Sequence, residues 1–196
     1  AKGSFGEWLW DASSVYGRNS SDFYVRQSLN TSMGAKSPLE FYCGRFVFGQ
    51  STTNIDLSRN VDIGTASPLT MALGAELRLD QYKIGAGEPA SYADGGVPVD
   101  TSIGRTNKKA AIGAQVFPGF RPSNATNQTR RGLSLYADLE TKIINEILMT
   151  AAGRFENYSD FGSTFNVKVA TRVEPVKGIG VRGAFSTGFR APSLQQ

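Results

Sequence analysis

Few residues in this chain are able to do covalent chemistry. It has no His and one Cys, Cys43, among 196 residues, which excludes Ser-His-Asp catalysis and His-ligated zinc from it. A lone cysteine forms no intrachain disulfide. Within Phe41-Tyr42-Cys43-Gly44 it reads either as an unpaired loop thiol or as half of a pair whose partner lies outside this chain. No Gly-rich phosphate loop follows a strand and opens a helix. No carboxylate pair stands out for acid–base work, because each acid has bases near it on the same face. Asp94-Gly95-Gly96 could touch a cation, but a plain turn is the simpler reading. Asn30-Thr31-Ser32, Asn124-Ala125-Thr126 and Asn127-Gln128-Thr129 match the glycosylation pattern, which short polar loops also produce by chance. The chain does not read as an enzyme, and no cofactor is implied.

The charges are instead laid out in alternation. Leu69, Met71, Leu73, Ala75, Leu77 and Leu79 alternate with Thr70, Ala72, Gly74, Glu76, Arg78 and Asp80. Leu133, Leu135, Ala137 and Leu139 alternate with Ser134, Tyr136, Asp138 and Glu140, and Phe165, Val167, Val169 and Val173 with Asn166, Lys168, Arg172 and Glu174. A period of two sends one set of side chains to each face of a strand. One face is apolar. The other carries Glu76, Arg78, Asp80, Asp138, Glu140, Lys142, Arg154, Glu156, Lys168, Arg172, Glu174 and Arg182, which neighbouring strands are expected to set in opposite-charge pairs.

The pattern predicts seven strands: Gly6–Gly17, Thr53–Val61, Leu69–Tyr82, Gly132–Lys142, Ile147–Tyr158, Thr164–Glu174 and Ile179–Thr187. The first has Trp8, Trp10 and Tyr16 on one side and Glu7, Asp11 and Ser13 on the other, with Leu9 and Val15 interrupting its polar face, and it can be extended through Phe23-Tyr24-Val25. Short links at Asp62–Ser67, Ile143–Glu146 and Pro175–Gly178 contrast with long loops at Ser28–Phe46 and Gly85–Arg130, the latter holding four of the eight prolines. An irregular stretch of that length counts against a compact soluble domain. Membrane barrels, by contrast, combine short turns at one end with long loops at the other.

Mean hydropathy is −0.25 and no run approaches a spanning helix, but alternation gives barrel strands just such a middling average. The Leu69–Tyr82 strand is long enough to cross a bilayer, and Trp8, Tyr16, Tyr82, Tyr158 and Phe185 fall near strand ends as girdle aromatics would. The expected class is all-β: an antiparallel up-and-down transmembrane barrel segment, incomplete, spanning residues 1–196. A passive porin-like barrel and a soluble β-sandwich binding module are the alternatives. The 21 basic residues are scattered among 17 acids with a net charge of +4, so no nucleic-acid surface is expected. Ala1 opens no signal peptide and the chain stops abruptly at Gln196, which reads as a fragment.

Two segments carry a resemblance. Gly153-Arg154-Phe155-Glu156-Asn157-Tyr158-Ser159-Asp160-Phe161-Gly162, and a hairpin later Gly183-Ala184-Phe185-Ser186-Thr187-Gly188-Phe189-Arg190-Ala191-Pro192-Ser193-Leu194, resemble strand ends of TonB-dependent outer-membrane receptors. Pro118-Gly119-Phe120-Arg121-Pro122 and Gly87-Glu88-Pro89-Ala90-Ser91-Tyr92 look like loops of one subgroup. The resemblance implies part of a barrel of about 22 strands with a plugged lumen, in the outer membrane of a Gram-negative bacterium. It implies import of a bulky nutrient (iron-siderophore, cobalamin or oligosaccharide), energised by an inner-membrane TonB-type partner acting through a plug domain that this chain lacks. Outer-membrane lipid would surround it. Ligand selectivity is then expected in the outer loops, from Tyr42, Arg45, Tyr92, Phe117, Phe120 and Arg121, with Phe189 and Arg190 at the last strand's outer end. Aromatic rings would stack on a ligand and arginines would pair with an anionic one.

Overall fold

Strand after strand pairs with its predecessor, and no other connection is used. The computed structural model describes residues 1–98, 109–176 and 178–194 as one antiparallel sheet of eight strands in sequence order. These are β1 (Lys2–Phe5), β2 (Trp8–Arg26), β3 (Glu40–Val61), β4 (Leu69–Ala86), β5 (Thr126–Ile144), β6 (Ile147–Tyr158), β7 (Gly162–Val176) and β8 (Ile179–Ser186). β1 pairs only with β2 and β8 only with β7, so the sheet is open. A β-sandwich needs a second sheet, and the described residues form one.

Register turns the alternation into two continuous faces. Ile55, Ala75, Leu135, Phe155 and Phe165 stand in one row across five strands. The next row, on the opposite face, reads Asn54, Glu76, Ser134, Glu156 and Thr164. From Leu69 to Leu79 the apolar face of β4 rises about 33 Å at ~3.3 Å per residue. A tilt of 35–45° brings this to about 25 Å, the height of an outer-membrane barrel's apolar band. No helix is long and apolar enough to cross a membrane, which says nothing of strands.

The structure corrects the expected boundaries. There are eight strands rather than seven, because Gly6 and Glu7 form the turn of a small β1–β2 hairpin instead of opening a strand. β2 runs on to Arg26, and β3 begins at Glu40, inside the segment expected to be loop. The long loop expected over Gly85–Arg130 shrinks from both ends, since β4 reaches Ala86 and β5 starts at Thr126; its residues 99–108 lie outside the described set. Above the band the polarity of the wall inverts. Phe23, Phe46, Tyr82 and Ile84 lie on the face that lower down is charged, while Asp22, Arg45, Gln81 and Lys83 face the apolar side. A reading keyed to one polarity stops where it reverses.

The Ile143–Glu146 link tightens to Asn145-Glu146, with Ile144 paired to Ile147. β7 continues to Val176, beyond the expected start of the Pro175–Gly178 turn, whose Lys177 lies outside the described residues. The β6–β7 link at the long-loop end is only Ser159–Phe161, so short and long links do not alternate strictly. Tyr82 and Tyr158 are not girdle residues: register puts both on the charged face, beside Gln128 and Gly132. Trp8, Tyr16 and Phe185 do face the apolar side.

Candidate functional site

The charged face is wired both along its strands and across them. Arg78 pairs with Asp80 at 3.1 Å, Arg154 with Glu156 at 2.9 Å and Arg172 with Glu174 at 3.1 Å, each two residues apart on one strand. Directly opposite partners are more often neutral, as Ser134 to Glu156 and Tyr136 to Arg154, and Arg172 faces Arg182. Of the expected opposite-charge pairs between neighbouring strands, Lys2 and Asp11 meet at 3.5 Å and Asp80 stands opposite Arg130, while other contacts are longer reaches. Arg154 bridges over β5 to Glu76 at 3.3 Å and donates to Ser134 Oγ at 3.1 Å. Tyr136 donates to Asp56 Oδ1 at 2.6 Å, also skipping a strand. Its ring lies across Gly74, where any Cβ would run into it. Such a lining is polar and held in place by its own partners.

At the other end the two long loops are joined. Asn30, wholly buried, donates through Nδ2 to the carbonyls of Ala90 and Ala93, both at 2.9 Å. Its Oδ1 accepts from Ser32 Oγ at 2.6 Å, and Ser32 Oγ in turn accepts from Gly95 N at 2.9 Å. A buried Asn30 side chain with these partners is a brace rather than a glycan acceptor. Thr31 and Ser28 add bonds to the carbonyls of Ala111 and Gln115 at 2.8 and 3.2 Å. Asp94-Gly95-Gly96 is the turn expected of it, with Asp94 Oδ1 accepting from Gly96 N at 2.9 Å.

Beneath the joined loops lies a small core of Phe41, Cys43 and Ala114, with Phe23, Val25, Ala90 and Phe117 against it. Cys43 is free and buried; burial pushes its thiol above the ordinary range, and Sγ lies 3.4 Å from the Phe117 carbonyl oxygen. The rings of Phe23, Phe46, Phe117 and Phe120 form a cluster, with Phe46 to Phe120 at 4.8 Å and Phe23 to Phe117 at 5.6 Å. Gly44 lets the loop approach. It sits at φ +114, and a Cβ there would meet Gly85 O at 2.5 Å and the Phe120 ring at 2.8 Å.

The resembling motifs meet at the rim. Arg130, 7% exposed, grips Asp160 with Nε–Oδ2 at 2.8 Å and Nη2–Oδ2 at 2.6 Å. Its Nη1 donates to Pro192 O at 2.6 Å. Phe161 stacks on Tyr158 at 4.4 Å and packs on Phe189 at 5.5 Å. The tail Phe189–Leu194 thereby covers a cavity of about 360 Å³ on the charged face, lined also by Phe48, Arg78, Asp80, Glu156 and Tyr158. Arg130 and Asp160 are not singled out as agents of this closure by the sequence, although Asp160 lies in one of the resembling motifs.

The eight residues expected to meet a ligand thus divide. Phe189 and Arg190 line the cavity. Phe117 and Phe120 are held in the loop's own aromatic cluster. Tyr92 ends the short helix α1 (Pro89–Tyr92), and Arg121 is exposed, its backbone N–H donating to Asn124 Oδ1 at 3.0 Å. Tyr42 and Arg45 lie on the outward side of the rim and both hold Asp22, at 3.1 Å and 2.6 Å. The Arg45 guanidinium keeps the Asp22 carboxyl below the ordinary carboxylate value, while burial, then Asp22, raises the Tyr42 phenol. The structure does not bring the eight into one cluster.

The family model described as TonB dependent receptor-like, beta-barrel, matches residues 2–196. No curated protein and no solved structure matches the chain.

Proposed function

Since the chain belongs to the TonB-dependent receptor family, as part of its β-barrel, we propose that its parent protein imports a scarce, bulky nutrient across the outer membrane of a Gram-negative bacterium. The family consists of transport receptors rather than enzymes. Energy would come from a TonB-type inner-membrane partner acting through a plug domain on the charged face. The ligand would be of the iron-siderophore, cobalamin or oligosaccharide class. One observation carries this reading: a wall about 25 Å high, apolar on one face and lined by ion pairs on the other, with its long loops gathered at one end.

In the proposal the ligand is first met by Tyr92 and Arg121 on the loops and then by Phe189 and Arg190 over the rim cavity. The rings offer a stacking surface, and Arg190 has no carboxylate within salt-bridge distance among the described residues. Phe117 and Phe120 hold the loops that present these groups, and Tyr42 and Arg45 brace the rim behind them. The test is uptake by cells carrying the intact receptor, with and without the TonB-type partner. A ferric siderophore, cobalamin and an oligosaccharide form the panel. Uptake of one of them, abolished without the partner, is expected. Equal uptake in both strains identifies a passive porin and overturns the proposal.

A further inference from the structure

Arg130 stands between two carboxylates and uses one of them. It holds Asp160 of the β6–β7 turn, with Nε–Oδ2 at 2.8 Å, while its Nη1 donates to Pro192 O at 2.6 Å. The other carboxylate is Asp80, directly opposite in register on β4 and only 8% exposed. Facing residues on antiparallel strands have Cβ atoms about 5 Å apart, well within an arginine's reach. Yet no ion pair within 4.0 Å joins the two. Asp80 accepts from Gln50 Nε2 at 2.8 Å and from Arg78 Nε at 3.1 Å, both on Oδ1. Its Oδ2 accepts no hydrogen bond among the described residues, so a nearly buried carboxylate keeps one oxygen unused.

The segment that Arg130 fastens is lightly attached elsewhere. Thr187, just beyond β8, is still bonded to Val167, its N–H donating and its Oγ1 accepting, both at 2.9 Å. Gly188 follows, with open space where a side chain would be. From Phe189 to Leu194 the chain makes one hydrogen bond among the described residues, from Arg130 to Pro192 O, and one ring contact, Phe189 on Phe161. The Arg130 guanidinium also lies over the Phe161 ring at 5.1 Å. Two cavities meet at this strap. The lower, of about 360 Å³, reaches Arg78, Asp80 and Glu156; the upper, of about 520 Å³, reaches Tyr82, Ile84 and Gln128. Arg130, Pro192, Ser193 and Leu194 line both.

We propose that Phe189–Leu194 is a movable partition and that Arg130 is its switch, with Asp160 and Asp80 as alternative partners. In the arrangement seen, Arg130 on Asp160 fastens the strap and keeps the cavities apart. Turning to Asp80 Oδ2 exchanges one ion pair for another and releases Pro192 and Phe189, with Gly188 as the hinge. The two cavities then form one space descending from the loop end into the charged lining. Exchange of like for like keeps the two arrangements close in free energy, whereas breaking the Asp160 pair outright would strand a buried charge. The inference rests on the charged face being the interior of an import receptor. It adds to that reading a regulated step on the ligand's way past the rim.

The distance from strap to wall reads the switch directly. In the intact receptor in micelles, nitroxides are attached at Ser193→Cys on the strap and at Asn127→Cys, exposed on β5; Cys43 is buried and takes no label. Double electron–electron resonance should give one dominant distance. Asp160→Asn should raise the share of a second, longer distance about tenfold, the scale of one charge-assisted hydrogen bond. Phe161→Ala leaves both carboxylates in place and should shift the distances the same way, a second route to opening should Asp160→Asn misfold. Adding Asp80→Asn to either variant should return most of the strap to the first distance, because the switch has lost the partner it turns to. A strap that stays at the first distance in both variants overturns the proposal. So does an opening indifferent to Asp80→Asn, which would describe a segment merely loosened. No ligand or TonB-type partner enters the measurement, so its failure is separate from failure of the uptake test.

Discussion

At the scale of single residues the wall is specified by close approaches that admit no substitute. Gly74 is a glycine because the Tyr136 ring crosses the strand there on its way to Asp56. Gly74→Ala must expel that ring, losing both its packing and a hydrogen bond to a charged acceptor, which together are worth about 2–4 kcal/mol. Tyr136→Phe keeps the ring and loses only the bond, at about 1.5–3 kcal/mol. In a double-mutant cycle on the intact receptor, Gly74→Ala should cost far less once Tyr136 is Ala, and urea titrations read the difference. Full additivity would show that the ring does not lie across Gly74. Asp22 supplies a pH test outside the membrane. Its folded carboxyl titrates below the ordinary value of 3.8, held there first by Arg45. A depressed carboxyl contributes stability above its unfolded pKa and loses it as pH falls through the folded one. The rim joining Asp22, Tyr42 and Arg45 should therefore be indifferent to pH from 7 down to about 5 and loosen only below about 4. Hydrogen exchange at Tyr24 and Tyr42 checks this, and Asp22→Asn should remove the dependence.

At the scale of elements, the two long loops behave as one piece because Asn30 on the first holds carbonyls of the second. Asn30→Ala leaves the Ala90 carbonyl without its donor, at about 1–3 kcal/mol, and the Ala93 carbonyl with only the longer bond from Ser32 Oγ. Limited proteolysis of the intact receptor should then cut the 27–39 and 87–125 loops at similarly increased rates. Cleavage rising only in the first loop would show that they are independent. None of this joint is legible in the sequence. Asn30 sits in a sequon-like triplet, and its partners are backbone atoms some sixty residues away, which leave no trace in composition. The middles of β4 to β8 are legible, since burial in lipid on one side and water on the other imposes a period of two directly. Their extensions are not. Phe23, Phe46 and Tyr82 turn inward beneath the loops while Asp22, Arg45 and Lys83 turn outward, so the same strand carries opposite polarity in its two halves. The motifs around Asp160 and Pro192 are recognisable as patterns, but their joint use by Arg130 needs three distant segments in register.

At the scale of the whole molecule, the distribution of burial explains where stability must come from. Among the described residues, Phe41, Cys43, Val47, Tyr82, Ala110 and Ala114 are the buried apolar ones, and they belong to the upper wall and the loops over it. Below them the sheet has no core on either side. Leu77, Leu135, Phe165 and Phe185 are 47%, 49%, 66% and 67% exposed on the apolar face, and the opposite face is bound up in ion pairs. A sheet of this kind gains its hydrophobic stabilisation only when lipid or detergent covers the apolar side. Its two edges, β1 and β8, also present unpaired backbone groups. The segment expressed by itself should consequently associate in detergent-free buffer, raising light scattering, and recover dispersed β-structure only on transfer to micelles. A monomer that stays dispersed without detergent would contradict the lipid-facing assignment, because nothing else in the fold could keep that face from water. The loop end has its own small core, so its amides should keep slower hydrogen exchange in buffer than those of the band even while the sheet below associates. The polarity inversion along β2, β3 and β4 thus divides one sheet into two regimes, an upper part stabilised by its own packing and a lower part that depends on the membrane.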